Sequence, residues 1–235
     1  MNYEIVELDW SQGVVALKED LSAVGQRVLD GNIVILSKVF SEPLMDQCKR
    51  ALLDWQASNA PTNPNRLATG ESWWRRDVNS PSKTSHLFET FCLVFSDHNS
   101  GSLEVLKEVF DQMGEIWESL LPEFRKANPE KPGAQLRPQA IHYPKGGGFF
   151  DWHVHDIAPQ GIGLIVGLSK QGRDFETGGT IFRDNTGEVD TSDIHDIGDI
   201  CLFRYDLEHA VGVVDPEYDL EWGATGRWTM VLPMM

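Results

Sequence analysis

Positive charge is scarce in this sequence. Its 235 residues include 20 Lys and Arg against 36 Asp and Glu, which gives a formal net charge of -16. A chain this acidic is a poor electrostatic match for nucleic-acid backbones and for anionic membrane surfaces. Long apolar runs are lacking too, because no window reaches the roughly 18 consecutive apolar residues of a membrane-spanning helix. We therefore expect neither a nucleic acid nor a membrane as a partner.

Cysteine is equally rare. The three cysteines, Cys48, Cys92 and Cys201, are far apart and form no CxxC pair, which excludes a disulfide framework and a thiolate zinc site. We expect all three to be reduced and buried. The first residues also lack the basic and apolar regions of a secretory signal, so the sequence predicts a cytoplasmic protein. Its oligomeric state is left open.

The chain divides into a helical part and a part rich in strands, which we interpret as one domain. Apolar residues at helical spacing predict helices over 21–29, from Ser41 to about Trp55, and over 103–120, with a short buried strand at 32–37. Residues 1–135 would then supply helical support.

Residues 136–235 have a different character, with short β-like runs separated by turn residues. Eight strands are predicted, at 136–142, 149–155, 161–168, 179–183, 188–194, 199–204, 208–214 and 226–232. Eight short strands in about 100 residues are typical of a jelly roll, whose two sheets leave a pocket between them. The predicted fold class is α+β and mainly β, with a jelly-roll (double-stranded β-helix) core.

Residues 57–85 have the composition of a loop but contain Trp73, Trp74, Arg75 and Arg76 in succession. Aromatic and guanidinium groups in a loop are often binding groups. We therefore expect Trp74, Arg75 and Arg76 to contact a small-molecule substrate with an apolar body and an anionic group. The alternative is that the tryptophans fill the base of the core while the arginines pair with surface carboxylates.

The densest group of metal-ligating side chains lies between Tyr143 and Asp156. Alternation along a strand points His153 and His155 to the same face, and neutral imidazole is a common metal ligand. A third ligand is expected from His209 at the start of a late strand, which a jelly roll can bring beside an early one. His195 lies in a turn-like acidic run and is expected at the surface.

A series of short motifs runs in order through residues 136–232: Tyr143-Pro with Gly146-Gly-Gly, His153-x-His155, Ile162-Gly-Leu-Ile-Val-Gly-Leu-Ser, Gly178-Gly179, Gly198-Asp199 with Cys201-Leu-Phe, His209-Ala-Val and Gly226-Arg227-Trp-Thr229. With these motifs the sequence resembles the iron(II)/2-oxoglutarate-dependent oxygenase superfamily. In that family a His-x-Asp/Glu pair and a distal His hold Fe(II), and a basic residue binds the far carboxylate of 2-oxoglutarate.

The resemblance implies a role for several residues of this chain. His153 and His209 would be metal ligands, and Arg227 would bind 2-oxoglutarate in bidentate fashion. Thr229 would add a hydroxyl and Tyr143 a further hydrogen-bonding wall. The implied cofactors are Fe(II), 2-oxoglutarate as cosubstrate, and O2.

Two departures from the family pattern are visible. The position of the usual carboxylate is occupied by His155, so either His155 binds the metal, or the strand ends there and Asp156 turns in to supply a carboxylate; alternation favours His155. Three neutral imidazoles would leave more positive charge on the metal than a set with a carboxylate. The interval from His209 to Arg227 is also long, which we attribute to an inserted excursion at 215–222.

Three functions are therefore compared. The leading one is an Fe(II)- and 2-oxoglutarate-dependent oxygenase that oxidises a C–H bond of a small metabolite and releases succinate and CO2. The second is a three-histidine metal dioxygenase that does not use 2-oxoglutarate. The third is a jelly roll that binds a ligand without catalysis.

Overall fold

The structure is a computed structural model that describes residues 1–7, 20–62, 71–78, 84–95, 101, 103–121 and 136–234. It contains the three predicted helices, α1 (Leu21–Leu29), α2 (Glu42–Ser58) and α3 (Glu104–Leu120). The strands of the described chain are β1 (Tyr3–Glu7), β2 (Ile33–Ser37), β3 (Trp73–Val78), β4 (His86–Cys92), β5 (Gln139–Tyr143), β6 (Phe149–His153), β7 (Ile162–Gly167), β8 (Thr180–Asp184), β9 (Gly187–Asp190), β10 (Ile200–Arg204), β11 (Glu208–Val211) and β12 (Arg227–Val231). No helix of the described residues is long and apolar enough to cross a membrane.

The helix boundaries follow from capping and amphipathic spacing. Asp20 caps α1 by accepting a hydrogen bond from the Ser22 amide at 3.0 Å, and Ser41 caps α2 by accepting one from Leu44 at 3.4 Å. Helix α3 buries a continuous apolar stripe and packs closely on α1. A Cβ at Gly25 would lie 2.0 Å from the carbonyl oxygen of Leu120, so this approach requires glycine.

The strands form one sheet that bends back on itself. Its order is β1-β2-β10-β7-β12-β5-β4-β6-β11-β8-β9, with β3 pairing β4 on the side. All eight strands predicted beyond residue 135 are present as β5 to β12, and strands distant in sequence become neighbours, as in a jelly roll. The predicted α+β, mainly β, jelly-roll architecture is confirmed.

The two faces of the sheet have different partners. The helices cover one face with a large apolar core that includes Phe91, Trp117 and Trp228. On the other face, Ile35, Phe182 and Phe203 belong to a second apolar cluster. The first core supplies a rigid back wall for β5 and β12, and the cavity lies on their opposite face.

The prediction of a loop over 57–85 was wrong in its centre. Residues 73–78 are strand β3, which pairs in antiparallel register with β4 from Trp73 opposite Cys92 to Val78 opposite Leu87. The strands β1, β3 and β4 were not predicted, because pairing with strands distant in sequence determines them more than their local composition does. Strands β3 and β4 extend the sheet beside β5.

A buried polar cluster connects β3, β4, β5 and α2 behind the sheet. Nδ1 of His142 lies 2.8 Å from Glu89 Oε2, and Nε2 lies 2.8 Å from the Thr225 carbonyl oxygen. Arg76 and Gln56 also donate to Glu89 Oε1. Burial raises the pKa of Glu89, but the hydrogen bonds and charges of His142 and Arg76 outweigh it and hold that pKa below its ordinary value.

We expect Glu89→Gln to lower the free energy of unfolding by about 3 kcal/mol, because it leaves the partners of a buried charge uncompensated. Urea unfolding at pH 7 measures this, with Glu188→Gln on the exposed face of β9 as the matched control. The carboxylate contributes stability above the ordinary pKa of 4.5, so the difference between wild type and variant should shrink as the pH falls below that value. Equal stabilities at pH 7 would contradict the argument.

Candidate functional site

Three imidazoles converge where β6 and β11 pair. His153, the last residue of β6, lies directly opposite His209 on β11. His155 follows two residues beyond the end of β6. The ligand atoms of His153, His155 and His209 all lie within 4.8 Å of one another, which is close enough to hold one metal ion. The structure therefore brings together the three histidines that the sequence grouped.

Backbone carbonyl groups fix the orientation of two of these rings. Nδ1 of His153 lies 2.8 Å from the carbonyl oxygen of Asp151, and Nδ1 of His209 lies 2.8 Å from that of Leu207. A carbonyl oxygen only accepts, so Nδ1 carries the proton in both rings and Nε2 keeps its lone pair. This arrangement is typical of metal-binding histidines.

The surroundings keep the three rings neutral. Burial lowers the pKa of His153, and it lowers the pKa values of His155 and His209 to about 4 and about 3. Aromatic rings supply this apolar environment, since Phe150 stacks on His153 at 3.8 Å between centroids and Tyr205 stacks on His155 at 4.6 Å. Neutral imidazole is the form that binds a metal.

The geometry separates His155 from Asp156. His155 is half-buried and lines the cavity together with the other two histidines, whereas Asp156 is exposed and lies outside this group. Strand β6 ends at His153, yet His155 still faces the same side as His153. We therefore keep His155 as the third candidate ligand.

A cavity of about 300 Å³ extends from the imidazoles into the space that the bent sheet encloses. Tyr143, Arg227 and Thr229 line it as well, on the neighbouring strands β5 and β12. Alternation places Arg227 and Thr229 on one face of β12, while Trp228 between them packs into the helix-side core. The three residues implied as cosubstrate contacts therefore share one cavity with the histidines.

Arg227 is a buried cation whose positive charge few neighbouring groups offset. Its Nη2 donates to Thr180 Oγ1 at 2.7 Å, and no carboxylate in the described part of the chain forms an ion pair with it. Burial lowers its pKa, although Tyr143, Cys201 and Asp190 act in the opposite direction. Burial also raises the pKa of Tyr143 to about 12, so its hydroxyl remains protonated. An anionic ligand would satisfy this guanidinium.

Thr180 is a site residue that the sequence did not single out. Its hydroxyl accepts a hydrogen bond from Arg227, and its strand β8 pairs with β11, the strand of His209. Thr180 therefore connects the guanidinium end of the cavity with the imidazole end. Strand alternation alone could have placed Thr180 and Phe182 on one face. Its proximity to Arg227 depends on the order of strands in the sheet, which local sequence does not reveal.

The residues predicted as substrate contacts are divided between the two faces of β3. Trp74 and Arg76 lie on the helix side, where Trp74 donates to the Asn59 carbonyl oxygen and Arg76 pairs with Glu89, so neither side chain lines the cavity. Arg75 faces the other way. It pairs with Asp77, which also accepts a hydrogen bond from the cavity-lining Thr90.

His195 is not the surface residue that its acidic surroundings predicted. It is half-buried, and its Nε2 lies 3.2 Å from the carbonyl oxygen of Asp199. Burial and the nearby charge of Arg227 lower its pKa to about 3. The turn that contains it is tied to the end of β7, since the Gly198 amide donates to the Gly167 carbonyl oxygen at 2.8 Å. It does not belong to the imidazole cluster.

The excursion at 215–222 packs on the glycine-rich turn before β6. Glu221 donates to the Lys145 carbonyl oxygen at 2.9 Å, and Gly147 donates to that of Val214 at 3.0 Å. Gly146 has φ +80°, and a Cβ there would lie 2.2 Å from the Asp219 carbonyl oxygen, so only glycine fits at this contact. The excursion thus lies between β11 and β12, as expected from the long interval.

Comparisons with known proteins agree on the architecture. No family model and no curated protein matches the sequence. Among solved structures, a prolyl-4-hydroxylase from Pseudomonas putida is similar with a TM-score of 0.55 and 11% identity, over 91% of this chain and 97% of that one. The chain has the fold of the 2-oxoglutarate- and Fe(II)-dependent oxygenases.

Two further structures support that fold. A prolyl hydroxylase from Trichoplax adhaerens, in complex with a peptide of hypoxia inducible factor, has a TM-score of 0.52 and 11% identity over 91% of this chain and 90% of that one. An oxidoreductase of the 2OG-Fe(II) oxygenase family from Burkholderia pseudomallei has a TM-score of 0.51 and 12% identity over 97% of this chain and 94% of that one. The oxygenase fold therefore spans nearly the whole chain.

We predict that His209→Ala abolishes stoichiometric Fe(II) binding and leaves the circular dichroism spectrum unchanged. The substitution removes a ligand atom at the cavity and few contacts of the helix-side core. Metal analysis of protein purified with Fe(II) under argon measures it, with His195→Gln as the control outside the imidazole cluster. Full iron content in His209→Ala would remove this residue from the candidate ligands.

We also predict opposite results for the two neighbouring candidates. His155→Ala should lose Fe(II), because it removes the third imidazole, whereas Asp156→Ala should retain it, because the exposed carboxylate points away from the cluster. Fe(II) titration of both variants decides between them. Iron lost from Asp156→Ala and kept in His155→Ala would reverse the assignment.

Proposed function

We propose that this chain is a non-haem Fe(II)- and 2-oxoglutarate-dependent oxygenase. The proposal depends mainly on one observation: a single cavity combines three convergent neutral imidazoles with a buried guanidinium that has no ion-pair partner among the described residues. The first group suits a divalent transition metal, and the second suits a carboxylate. 2-Oxoglutarate carries a carboxylate at each end and could contact both groups.

The donor set fits Fe(II). His153 and His209 present Nε2 in the tautomer needed for coordination, and His155 completes a cluster on one side of the cavity. When bound, Fe(II) with 2-oxoglutarate and O2 supplies the oxidising chemistry, in which 2-oxoglutarate becomes succinate and CO2 and a substrate C–H bond is oxidised.

The remaining residues would orient the cosubstrate and exclude water. Arg227 would pair with one carboxylate of 2-oxoglutarate, while Tyr143 and Thr229 offer hydroxyl groups from the adjacent wall. Phe88, Phe150 and Phe203 make the rest of the cavity apolar, which strengthens each of these polar contacts.

The substrate in this proposal is a small metabolite. The cavity is lined mostly by apolar side chains with few polar groups, as in small-molecule sites. The Trichoplax neighbour was captured with a peptide, so a prolyl residue of a protein is the substrate class to compare with metabolites in a screen. The assay is succinate release from 2-oxoglutarate across metabolite pools and prolyl peptides.

A three-histidine dioxygenase that does not use 2-oxoglutarate is the second candidate. The observation that favours it is the ligand set itself, in which His155 stands where the family has a carboxylate. Arg227 argues for the first candidate, because a buried guanidinium without an ion-pair partner among the described residues is costly unless a ligand compensates it.

We expect Arg227→Met to raise the dissociation constant for 2-oxoglutarate by about tenfold to a hundredfold, the effect of losing hydrogen bonds between charged groups. Isothermal titration calorimetry on Fe(II)-loaded protein under argon measures it. Arg183→Met is the matched control, because Arg183 lies outside the cavity and pairs with Glu208.

Unchanged 2-oxoglutarate affinity in Arg227→Met would reject the proposed contact. If the wild type also turns over a substrate without 2-oxoglutarate, the three-histidine dioxygenase becomes the better description. Wild-type protein that takes up no metal would instead support a non-catalytic binding protein.

A further inference from the structure

The walls of the cavity contain no carboxylate among the described residues. The sequence has 36 acidic side chains, yet the only charged side chain in the lining is that of Arg227, and the other titratable groups are the three histidines, Tyr143 and Tyr205. Although the protein as a whole is strongly acidic, the described lining of its cavity carries no negative charge. A divalent metal bound there would add to the charge of Arg227.

The nearest carboxylates on the metal side are turned outward. Asp151 and Asp156 are exposed, and Glu208 forms an ion pair with Arg183 at 2.6 Å. Water and salt screen exposed charges, so these groups compensate the interior only weakly. The charge inside must therefore be neutralised by ligands.

2-Oxoglutarate neutralises only part of this charge. A divalent metal and Arg227 together carry one more positive charge than a dicarboxylate carries negative charge, since His153, His155 and His209 contribute none. With a carboxylate in place of His155 the charges would balance. Leaving a full charge uncompensated in an apolar cavity is costly.

Resting on the proposed function, we propose that the metal side of this cavity binds a second anion, a monoanionic group that enters beside 2-oxoglutarate. It is either the carboxylate of the substrate or a small inorganic anion, and each carries the single negative charge that the cavity lacks. In either case His155 is the residue that creates the site. Its imidazole is neutral, whereas a carboxylate at the same position would supply the negative charge itself.

The test uses Co(II)-loaded protein saturated with 2-oxoglutarate, which occupies Arg227. Sodium azide is titrated at constant ionic strength and the visible absorption of Co(II) is followed, with sodium acetate in a parallel titration. We expect a saturable spectral change with at least one of the two anions. A response to acetate assigns the site to a carboxylate, and a response to azide alone assigns it to an inorganic ion.

Two variants test the role of charge. His155→Asp should lower the affinity for the second anion by about tenfold or more, because it adds a negative charge beside the metal. Asp156→Asn removes an exposed neighbouring charge and should change the affinity by no more than about twofold. If His155→Asp does not retain Co(II), the titration of the wild-type protein alone decides whether the second anion binds.

Wild-type protein that binds Co(II) and 2-oxoglutarate but shows no response to either anion would overturn this inference and leave the proposed function standing. Equal anion affinity in wild type and a Co(II)-loaded His155→Asp would also overturn it. Failure to bind metal or 2-oxoglutarate at all would reject the proposed function, and the second anion with it.

Discussion

The pairing of β6 with β11 is the contact on which the candidate site depends. It places His153 directly opposite His209, although the two residues are far apart in sequence. Backbone carbonyl groups of their own segments orient both rings, and Tyr205, in the turn between β10 and β11, stacks on His155. The pairing of the strands therefore assembles the imidazole cluster, and local hydrogen bonds then orient its rings.

The sheet also explains why the two ends of the cavity belong together. Strand β12 presents Arg227 and Thr229 to the cavity while Trp228 anchors it in the helix-side core. Behind the same strands, Glu89 and His142 tie β4 and β5 to the Thr225 carbonyl just before Arg227. A rigid back wall thus supports the position of a desolvated cation, and desolvation makes that cation a strong anion-binding group.

Local sequence patterns account for most of the secondary structure and for the histidine cluster. The three helices, the eight strands after residue 135 and the convergence of His153, His155 and His209 were predicted from periodicity and spacing. Strands β1, β3 and β4 were missed, and His195 was wrongly placed at the surface, because their environments are determined by pairing between distant segments. Thr180 was missed for the same reason, since only the strand order brings it to Arg227.

The central claim is that one cavity binds both Fe(II) and 2-oxoglutarate. The three imidazoles would bind the Fe(II), and 2-oxoglutarate would contact the Fe(II) at one end and the Arg227 guanidinium at the other. The claim is tested most directly by the affinity of wild-type protein for 2-oxoglutarate, measured calorimetrically with and without Fe(II) under argon. Because the metal and the cosubstrate would contact each other, the account predicts that Fe(II) tightens 2-oxoglutarate binding by about tenfold or more. Equal affinities in the two states would contradict it.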